Sequence, residues 1–224
     1  MFKHADNNKK YLCGVYMAKR IGERTVVLEK RVAFVGYGSV VGKHEHQGPL
    51  GYEFDSFDMD CRFGEESYEK AESTLQKIAL QTALKKSGYN ETEIDCVFAG
   101  DLLNQCIGSF YGLKQTEIPL VGLYGACSTM TLALIMASNL IESGAANRTA
   151  AVTSSHFCSA ERQYRFPLEY GSQRTPTAQR TVTGSGASIL EESEKGPYIS
   201  AFTIGKIVDL GVTDANNMGA AMAP

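Results

Sequence analysis

The longest uncharged stretch of the chain runs from Ile118 to Ile141, and it restricts the possible folds more than any other feature. Its 24 residues are enough to cross a bilayer. However, Pro119, Gly122 and Gly125 interrupt it, which predicts a strand, a turn and a helix instead of a membrane span. The helix, at about residues 128–143, is apolar on nearly every face, so we expect structure to cover it on all sides.

Strands alternate with helices along the middle of the chain. Apolar residues recur at three- and four-residue steps over residues 65–87, and Gly88 supplies a stop, so this segment is predicted to be a helix. Residues 94–100, 118–124 and 148–155 are predicted to be strands. This order predicts an α/β fold built from βαβ units around a mostly parallel mixed sheet.

Further strands are predicted on either side of this middle part. Residues 32–41 form a strand in which Gly36 and Gly38 are reminiscent of a dinucleotide site, but the third glycine of that motif is missing. After a long polar loop, residues 180–192 and 198–210 are predicted to form an antiparallel pair of strands across a short turn.

The composition argues against several classes of protein. The net charge is −3, the sequence pI is about 5.9, and no run of basic residues exceeds two, which argues against nucleic-acid binding. The six cysteines form no C-x-x-C pair, so we expect reduced thiols in the cytoplasm. The N-terminus lacks the apolar segment of a signal peptide.

His44 and His46 lack a third ligand at useful spacing, so no metal site is predicted.

Cys127 lies at the joint between the strand at 118–124 and the helix at 128–143. Unpaired N–H groups and the positive end of the helix dipole favour a thiolate at such a position, which suits a nucleophile or a ligand-binding group. A free cysteine is also among the residue types most often buried, so the same position suits a small core residue. The spacing leaves all three roles open.

Several motifs carry a resemblance to a known family. They are "AGDLLNQ" at 99–105, "YGACST" at 124–129, "TSSHFCSAERQYRFPLEYGSQRTPTA" at 153–178, "TVTGSGA" at 181–187, "GKIVDLGVTD" at 205–214 and "NMGAAMAP" at 217–224. Together they resemble the thiolase and ketoacyl synthase superfamily and, within it, the stage V sporulation protein AD family. The resemblance implies a thiolase-like layered fold, with residues 20–210 as its first βαβαβαββ half and residues 211–224 as the start of the second half. Residues 1–19 do not match and are interpreted as an N-terminal appendage.

The resemblance also implies a function. The family it points to binds dipicolinic acid (pyridine-2,6-dicarboxylate) and takes part in its uptake into the developing spore. We therefore expect dipicolinic acid, alone or as its calcium chelate, to be the ligand, with spore membrane channel proteins and a second copy of the chain as partners, and no cofactor. The expected location is the cytoplasm or the surface of the inner spore membrane. In the wider superfamily the cysteine before the buried helix is an acyl nucleophile, so an acyltransferase or ketoacyl synthase activity using Cys127 stays open.

The ligand-binding residues predicted on this chain follow from the chemistry of a dicarboxylate, which needs cations or N–H donors. Arg165 and Arg174 supply cations in the polar loop that follows His156, and Cys127 lies at the pocket floor. His156 follows a predicted strand, where parallel sheets place their sites. A solvated loop remains the alternative for the arginines, and a hydrogen bond to backbone remains the alternative for His156.

Asn104 and Gln105 are predicted to contact a second subunit. They follow the strand at 94–100 in a loop that, on the resemblance, reaches the neighbouring subunit's cysteine. A simple turn cap is the alternative for both residues.

Overall fold

The computed structural model describes residues 18–164, 180–213 and 219–220. The strands are β1 (Lys19–Ile21), β2 (Thr25–Gly42), β3 (Ser56–Asp58), β4 (Cys96–Gly100), β5 (Leu120–Gly122), β6 (Arg148–Ser155), β7 (Gly184–Glu192) and β8 (Tyr198–Thr203). The helices are α1 (Lys43–His46), α2 (Tyr68–Ser87), α3 (Ile107–Leu113), α4 (Thr129–Glu142) and α5 (Phe157–Tyr164). The alternation predicted for the middle of the chain is confirmed, because α2, α4, β4, β5 and β6 all lie within the predicted segments.

The strands form one mixed sheet in the order β1-β2-β7-β6-β4-β5. β4 pairs in parallel with both β5 and β6, while β7 lies antiparallel between β2 and β6. β3 and β8 pair with β2 outside this order. The carboxyl ends of β4, β5 and β6 therefore meet at one edge of the sheet.

The predicted pairing of residues 180–192 with residues 198–210 is wrong. β7 has β2 on one side and β6 on the other, so no edge of β7 is left for β8. β8 instead pairs antiparallel with β2, for example through Val26 and Phe202. β7 and β8 lie on opposite edges of β2, since Val32 pairs with both Glu192 and Ile199.

Helices cover both faces of the sheet. On one face α2 packs through Leu75 and Ala79 into a core that includes Ile189 of β7. On the other face α4 packs through Ala137 into a core that includes Leu190, the next residue of β7. Successive side chains of a strand point to opposite faces of the sheet, so neighbouring residues of a strand buried on both faces enter different cores.

α4 is covered on its sheet-facing side by the described part of the chain. Ala133 and Ala137 are fully buried, whereas Met136 is 38% exposed. The expectation that this helix is covered on every face is therefore not met within the described residues.

Glu142 fixes the end of α4, because its carboxylate accepts hydrogen bonds from the backbone N–H groups of Glu29 and Lys30. Among residues 18–164, 180–213 and 219–220, no helix is long and apolar enough to cross a membrane.

Gly36 and Gly38 allow α2 to approach β2 closely. A Cβ atom on Gly38 would overlap the carbonyl oxygen of Ala79, and one on Gly36 would overlap that of Ala83. Both carbonyls belong to α2. The glycine pair therefore serves helix packing, which explains why the remainder of a dinucleotide motif is missing.

We predict that Gly38→Ala lowers the free energy of unfolding by about 1–3 kcal/mol, the usual cost of overpacking a filled core. Urea denaturation measures this change. Gly205→Ala is the matched control, because a Cβ at Gly205 meets no atom within 4 Å, and it should leave stability within about 0.5 kcal/mol. Equal stability of the two variants would contradict the packing role.

Candidate functional site

A cleft of about 920 Å³ lies at the edge of the sheet where β4 and β6 end and β7 begins. The residues of its wall that matter for the chemistry are Asp101, Cys127, Ser154, Ser155, Arg180 and Ser185. β6 and β7 are antiparallel and Ser155 lies opposite Gly184, so the end of one strand and the start of the other share this edge. The cleft is therefore where the sequence predicted a site, at the ends of the parallel strands.

Cys127 is exposed on the cleft wall, in a single 3-10 turn (Ala126–Ser128) directly before α4. Ala126 has a positive φ of 47°, and Thr129 Oγ1 donates to its carbonyl oxygen at 2.7 Å. The backbone N–H of Gly125 donates to the same Thr129 hydroxyl at 3.1 Å. The turn thus holds the thiol at the N-terminal end of a 14-residue helix. Among the described residues Cys127 is exposed, which argues against the core-residue alternative.

His156 lies directly after β6, and its side chain is fully buried. Its Nε2 lies 2.8 Å from the carbonyl oxygen of Cys61, and its Nδ1 accepts a hydrogen bond from the backbone N–H of Cys158 at 3.1 Å. These partners define a neutral imidazole with its hydrogen on Nε2. Burial lowers the pKa of His156, which favours the same neutral form. His156 is not among the residues that line the cleft, so in the described structure it braces the loop around Cys61.

Arg180 brings a cation to the cleft wall. Its Nη1 lies 2.9 Å from Nε2 of His44, and its guanidinium lies 5.9 Å from the ring of Phe157. A guanidinium has five N–H donors, so a bond to His44 leaves donors for a ligand. The predicted ligands Arg165 and Arg174 lie outside the described residues.

Asn104 and Gln105 lie in a turn after β4 and are exposed, but they do not line the cleft of their own chain. Gln105 and Cys106 both have positive φ values, 60° and 53°. The turn leads into α3, whose Phe110 is 49% exposed. Contact with a second subunit therefore stays a prediction for these two side chains.

The two histidines of the 43–46 helix have separate partners. His44 is bonded to Arg180, while the ring of His46 stacks on Phe57 with centroids 3.4 Å apart. His46 Nδ1 also lies 3.1 Å from the carbonyl oxygen of Gly51. In the part of the chain that the structure describes, no three His, Cys, Asp or Glu side chains are grouped to hold a metal ion.

Glu72 is fully buried on α2, one hydrogen bond behind the cleft wall. Its Oε1 accepts from Ser154 Oγ at 3.0 Å, and its Oε2 accepts from Ser159 Oγ at 2.8 Å. The pKa of Glu72 is raised to about 7, mainly by burial. The hydrogen bond from Ser159 lowers this pKa, and the charge of Asp101 raises it further. An acid with such a pKa changes its charge near neutral pH.

Gln76 extends this buried network by one helical turn. Its Nε2 lies 3.1 Å from the carbonyl oxygen of Gly100 and 2.9 Å from the hydroxyls of both Ser109 and Ser154. The Gly100 carbonyl can only accept, which fixes the orientation of the amide. Ser109 Oγ donates in turn to Asp101 at 2.6 Å. Gln76 Oε1 is buried without a hydrogen-bond partner among the described residues.

The sequence analysis did not identify this network. A signal was present, because Glu72 and Gln76 stand four residues apart on the same helix face as the apolar residues Leu75 and Ala79. Two polar side chains on an apolar stripe need buried partners. Those partners, such as Ser154, come from distant parts of the chain and could not be named from the stripe alone.

Comparison with known proteins identifies the family. The model of the stage V sporulation protein AD family matches residues 22–224. The chain belongs to the stage V sporulation protein AD family. It is 41% identical over 206 residues to stage V sporulation protein AD of Bacillus subtilis (strain 168), and the match covers 92% of this chain and 61% of that protein. The chain thus spans less than two thirds of the length of this relative.

Solved structures of low sequence identity share the fold. The structure of 3-oxoacyl-[acyl-carrier-protein] synthase III from Aquifex aeolicus VF5 matches with a TM-score of 0.50 and 16% identity, over 73% of this chain and 55% of that one. A Xanthomonas campestris OleA variant with cerulenin matches with a TM-score of 0.51 and 11% identity, over 75% of this chain and 59% of that one. These similarities confirm the predicted thiolase-like α/β fold.

We predict that iodoacetamide at pH 7 alkylates Cys127 before it alkylates Cys96 and Cys106. Cys127 is exposed, whereas Cys96 and Cys106 are buried, and burial raises the pKa of both of these thiols. Peptide mass spectrometry over a time course should show labelling of Cys127 at least about tenfold faster. Faster labelling of Cys96 or Cys106 would contradict the exposed position of the turn.

Proposed function

We propose that this chain forms part of a sporulation protein that binds dipicolinic acid in the cleft around Cys127 and takes part in its uptake into the developing spore. Membership of the stage V sporulation protein AD family supports the role in sporulation. The cleft volume of about 920 Å³ exceeds what a single pyridine ring with two carboxylates requires, so the ligand can enter with water or a cation.

The observation that carries this proposal is that a guanidinium and the N-terminal end of a helix lie on one wall of the cleft. Arg180 can donate two parallel hydrogen bonds to a carboxylate, which is the preferred geometry for this pair. Ser155 and Ser185 already donate their hydroxyl hydrogens to the carbonyl oxygens of Val182 and Thr153, so they offer acceptor oxygens to the water or cation that enters with the ligand. The N-terminal end of α4 at Cys127 adds a positive partial charge. Together these groups can replace the water that a dicarboxylate loses on entering the cleft.

An acyltransferase or ketoacyl synthase-like enzyme is the second candidate. The exposed thiol of Cys127 at a helix N-terminus, in a fold shared with 3-oxoacyl-[acyl-carrier-protein] synthase III, favours it. His156 is a poor base for this thiol, because both of its ring nitrogens bond to backbone groups. An acyl adduct on Cys127 after incubation with an acyl-thioester would support the enzyme.

The proposal extends to partners and location. Calcium accompanies the ligand as its chelate, since two carboxylates and a ring nitrogen offer a divalent cation a compact set of ligands. The protein acts in the cytoplasm or on the surface of the inner spore membrane and passes the ligand to channel proteins there.

A second copy of the chain is proposed as a further partner, and the β5 edge of the sheet supports this. β5 is the last strand in the sheet order, and its Val121 is 42% exposed. Phe110 and Ile107 of α3 add further exposed apolar surface, at 49% and 45%. An exposed strand edge with apolar neighbours is a template for pairing. A homodimer through β5 would cover this edge and bring Asn104 and Gln105 towards the partner.

We predict that the full-length protein binds dipicolinic acid saturably and that Arg180→Gln weakens binding by about 10- to 100-fold, the usual effect of losing a hydrogen bond to a charged group. Cys127→Ala should also weaken binding, because it removes a group from the cleft floor. Isothermal titration calorimetry measures both dissociation constants.

Arg24→Gln is the control for this measurement. Arg24 is exposed near β1 and does not line the cleft, so its loss should leave the dissociation constant within about twofold. If the unmodified protein does not bind the ligand, the proposal is wrong and the acyltransferase becomes the leading candidate.

We also predict that Val121→Lys converts the dimer to a monomer, because it places a charge on the strand edge proposed to pair. Sedimentation velocity of the full-length protein measures the change. Ile21→Lys is the control, since Ile21 is 54% exposed on β1 at the opposite end of the sheet order. A dimer that survives Val121→Lys would show that the β5 edge is not the interface.

A further inference from the structure

Ser154 belongs both to the cleft wall and to the buried network behind it. It is the second-last residue of β6 and is partly exposed towards the cleft. Its Oγ lies 3.0 Å from Glu72 Oε1 and 2.9 Å from Gln76 Nε2. A change of protonation at Glu72 can therefore change the hydrogen bonds that the Ser154 hydroxyl offers to the cleft.

When Glu72 is ionised, its carboxylate can only accept hydrogen bonds. The single hydrogen of Ser154 then points at Oε1 of Glu72, while the Gln76 amide occupies one lone pair of the hydroxyl oxygen. What remains for the cleft is the other lone pair. A carboxylate ligand is itself an acceptor, so it gains no hydrogen bond from Ser154 in this state.

When Glu72 is protonated, the direction of the bond reverses. In the state in which the new hydrogen lies on Oε1, it is donated to Ser154 Oγ, so the hydroxyl oxygen of Ser154 becomes the acceptor of this bond. The hydrogen of Ser154 is then released and can be donated to a carboxylate in the cleft. The only species gained from solvent is one proton, and no covalent bond other than that O–H forms or breaks.

We propose that Glu72, acting through Ser154, couples the binding of a carboxylate ligand in the cleft to the uptake of one proton. This inference rests on the proposed function, since the ligand is the dicarboxylate proposed for the cleft. Glu72 is a positioning residue in this arrangement, because it acts on the ligand through Ser154 and does not touch it.

The charges around Glu72 favour such coupling near neutral pH. Burial raises its pKa to about 7, and the charges of Asp101, after β4, and of Glu69, on its own helix, act in the same direction. From α5, the described group facing Glu72 is the neutral hydroxyl of Ser159. Cys106, beside α3, is buried, and its pKa is raised too, so it adds no charge near neutral pH.

Calorimetry of dipicolinic acid binding to the full-length protein, in buffers of different ionisation enthalpy, tests the coupling. For a hydrogen bond worth about 100-fold in affinity, proton uptake should be about 0.5 per ligand at pH 7 and about 0.8 at pH 8, and affinity should fall about fivefold between these values and about fivefold again from pH 8 to pH 9. Over this range the carboxylates of the ligand stay ionised.

Glu72→Gln is the decisive variant, because its amide donates to Ser154 at every pH. Proton uptake should disappear, and affinity should change by less than about twofold from pH 7 to pH 9. Ser154→Ala should also abolish the uptake, and it provides a second test if Glu72→Gln folds poorly. Glu66→Gln is the control: it removes an exposed carboxylate that pairs with Lys70, and it should retain the proton uptake of the unmodified protein.

The outcomes separate this inference from the proposed function. Binding without proton uptake, or uptake that persists in Glu72→Gln, overturns the coupling and leaves the ligand assignment intact. An unmodified protein that fails to bind at every pH overturns the ligand assignment and the coupling together.

Discussion

Burying the side chains of Glu72 and Gln76 on α2 costs free energy unless their polar atoms find partners, and this requirement holds together the edge of the sheet where the cleft lies. The partners come from four other elements: Gly100 at the end of β4, Ser109 on α3, Ser154 at the end of β6, and Ser159 on α5. The hydrophobic effect is not directional, so these hydrogen bonds add a defined orientation to the close approach of α2 at Gly36 and Gly38. The hydrogen bonds fix the position of α2 along the sheet. They therefore also fix the strand ends that form the cleft wall.

The antiparallel position of β7 explains why the cleft contains residues that lie far apart in the sequence. β6 ends and β7 begins at the same edge, with Ser155 opposite Gly184. The segment that enters β7 must therefore pass the cleft, and it carries Arg180 to the wall. The turn before α4 reaches the same edge after β5, with Cys127 exposed on it. A parallel β7 would have placed its first residues, and Arg180 with them, at the opposite edge.

Local patterns in the sequence predicted the elements, and contacts between distant residues decided the rest. The spacing of apolar residues predicted α2 and its end at Gly88, because helix periodicity and the left-handed stop are properties of adjacent residues. The partner of β8 could not be predicted, since it depends on β7 having both edges occupied. The sequence left His156 open between a ligand contact and a hydrogen bond to backbone, and it could not name the partner, because the carbonyl of Cys61 is 95 residues away. The thiol of Cys127 was found because a strand, a turn and a helix meet there within a few residues.

A glutamine at position 72 could make hydrogen bonds to Ser154 and Ser159 without the cost of a buried charge, so a glutamate there makes the stability of this region depend on pH. The usual pKa of the group is 4.5, and the folded value is about 7. Because the folded value is the higher one, the stabilisation from the buried neutral acid is complete below pH 4.5 and is lost as pH rises through 7. The proton that relieves this cost is the same proton that would turn the Ser154 hydroxyl towards the cleft. Local stability of the α2–β6 contact and the proposed affinity for a carboxylate would therefore rise and fall together across neutral pH.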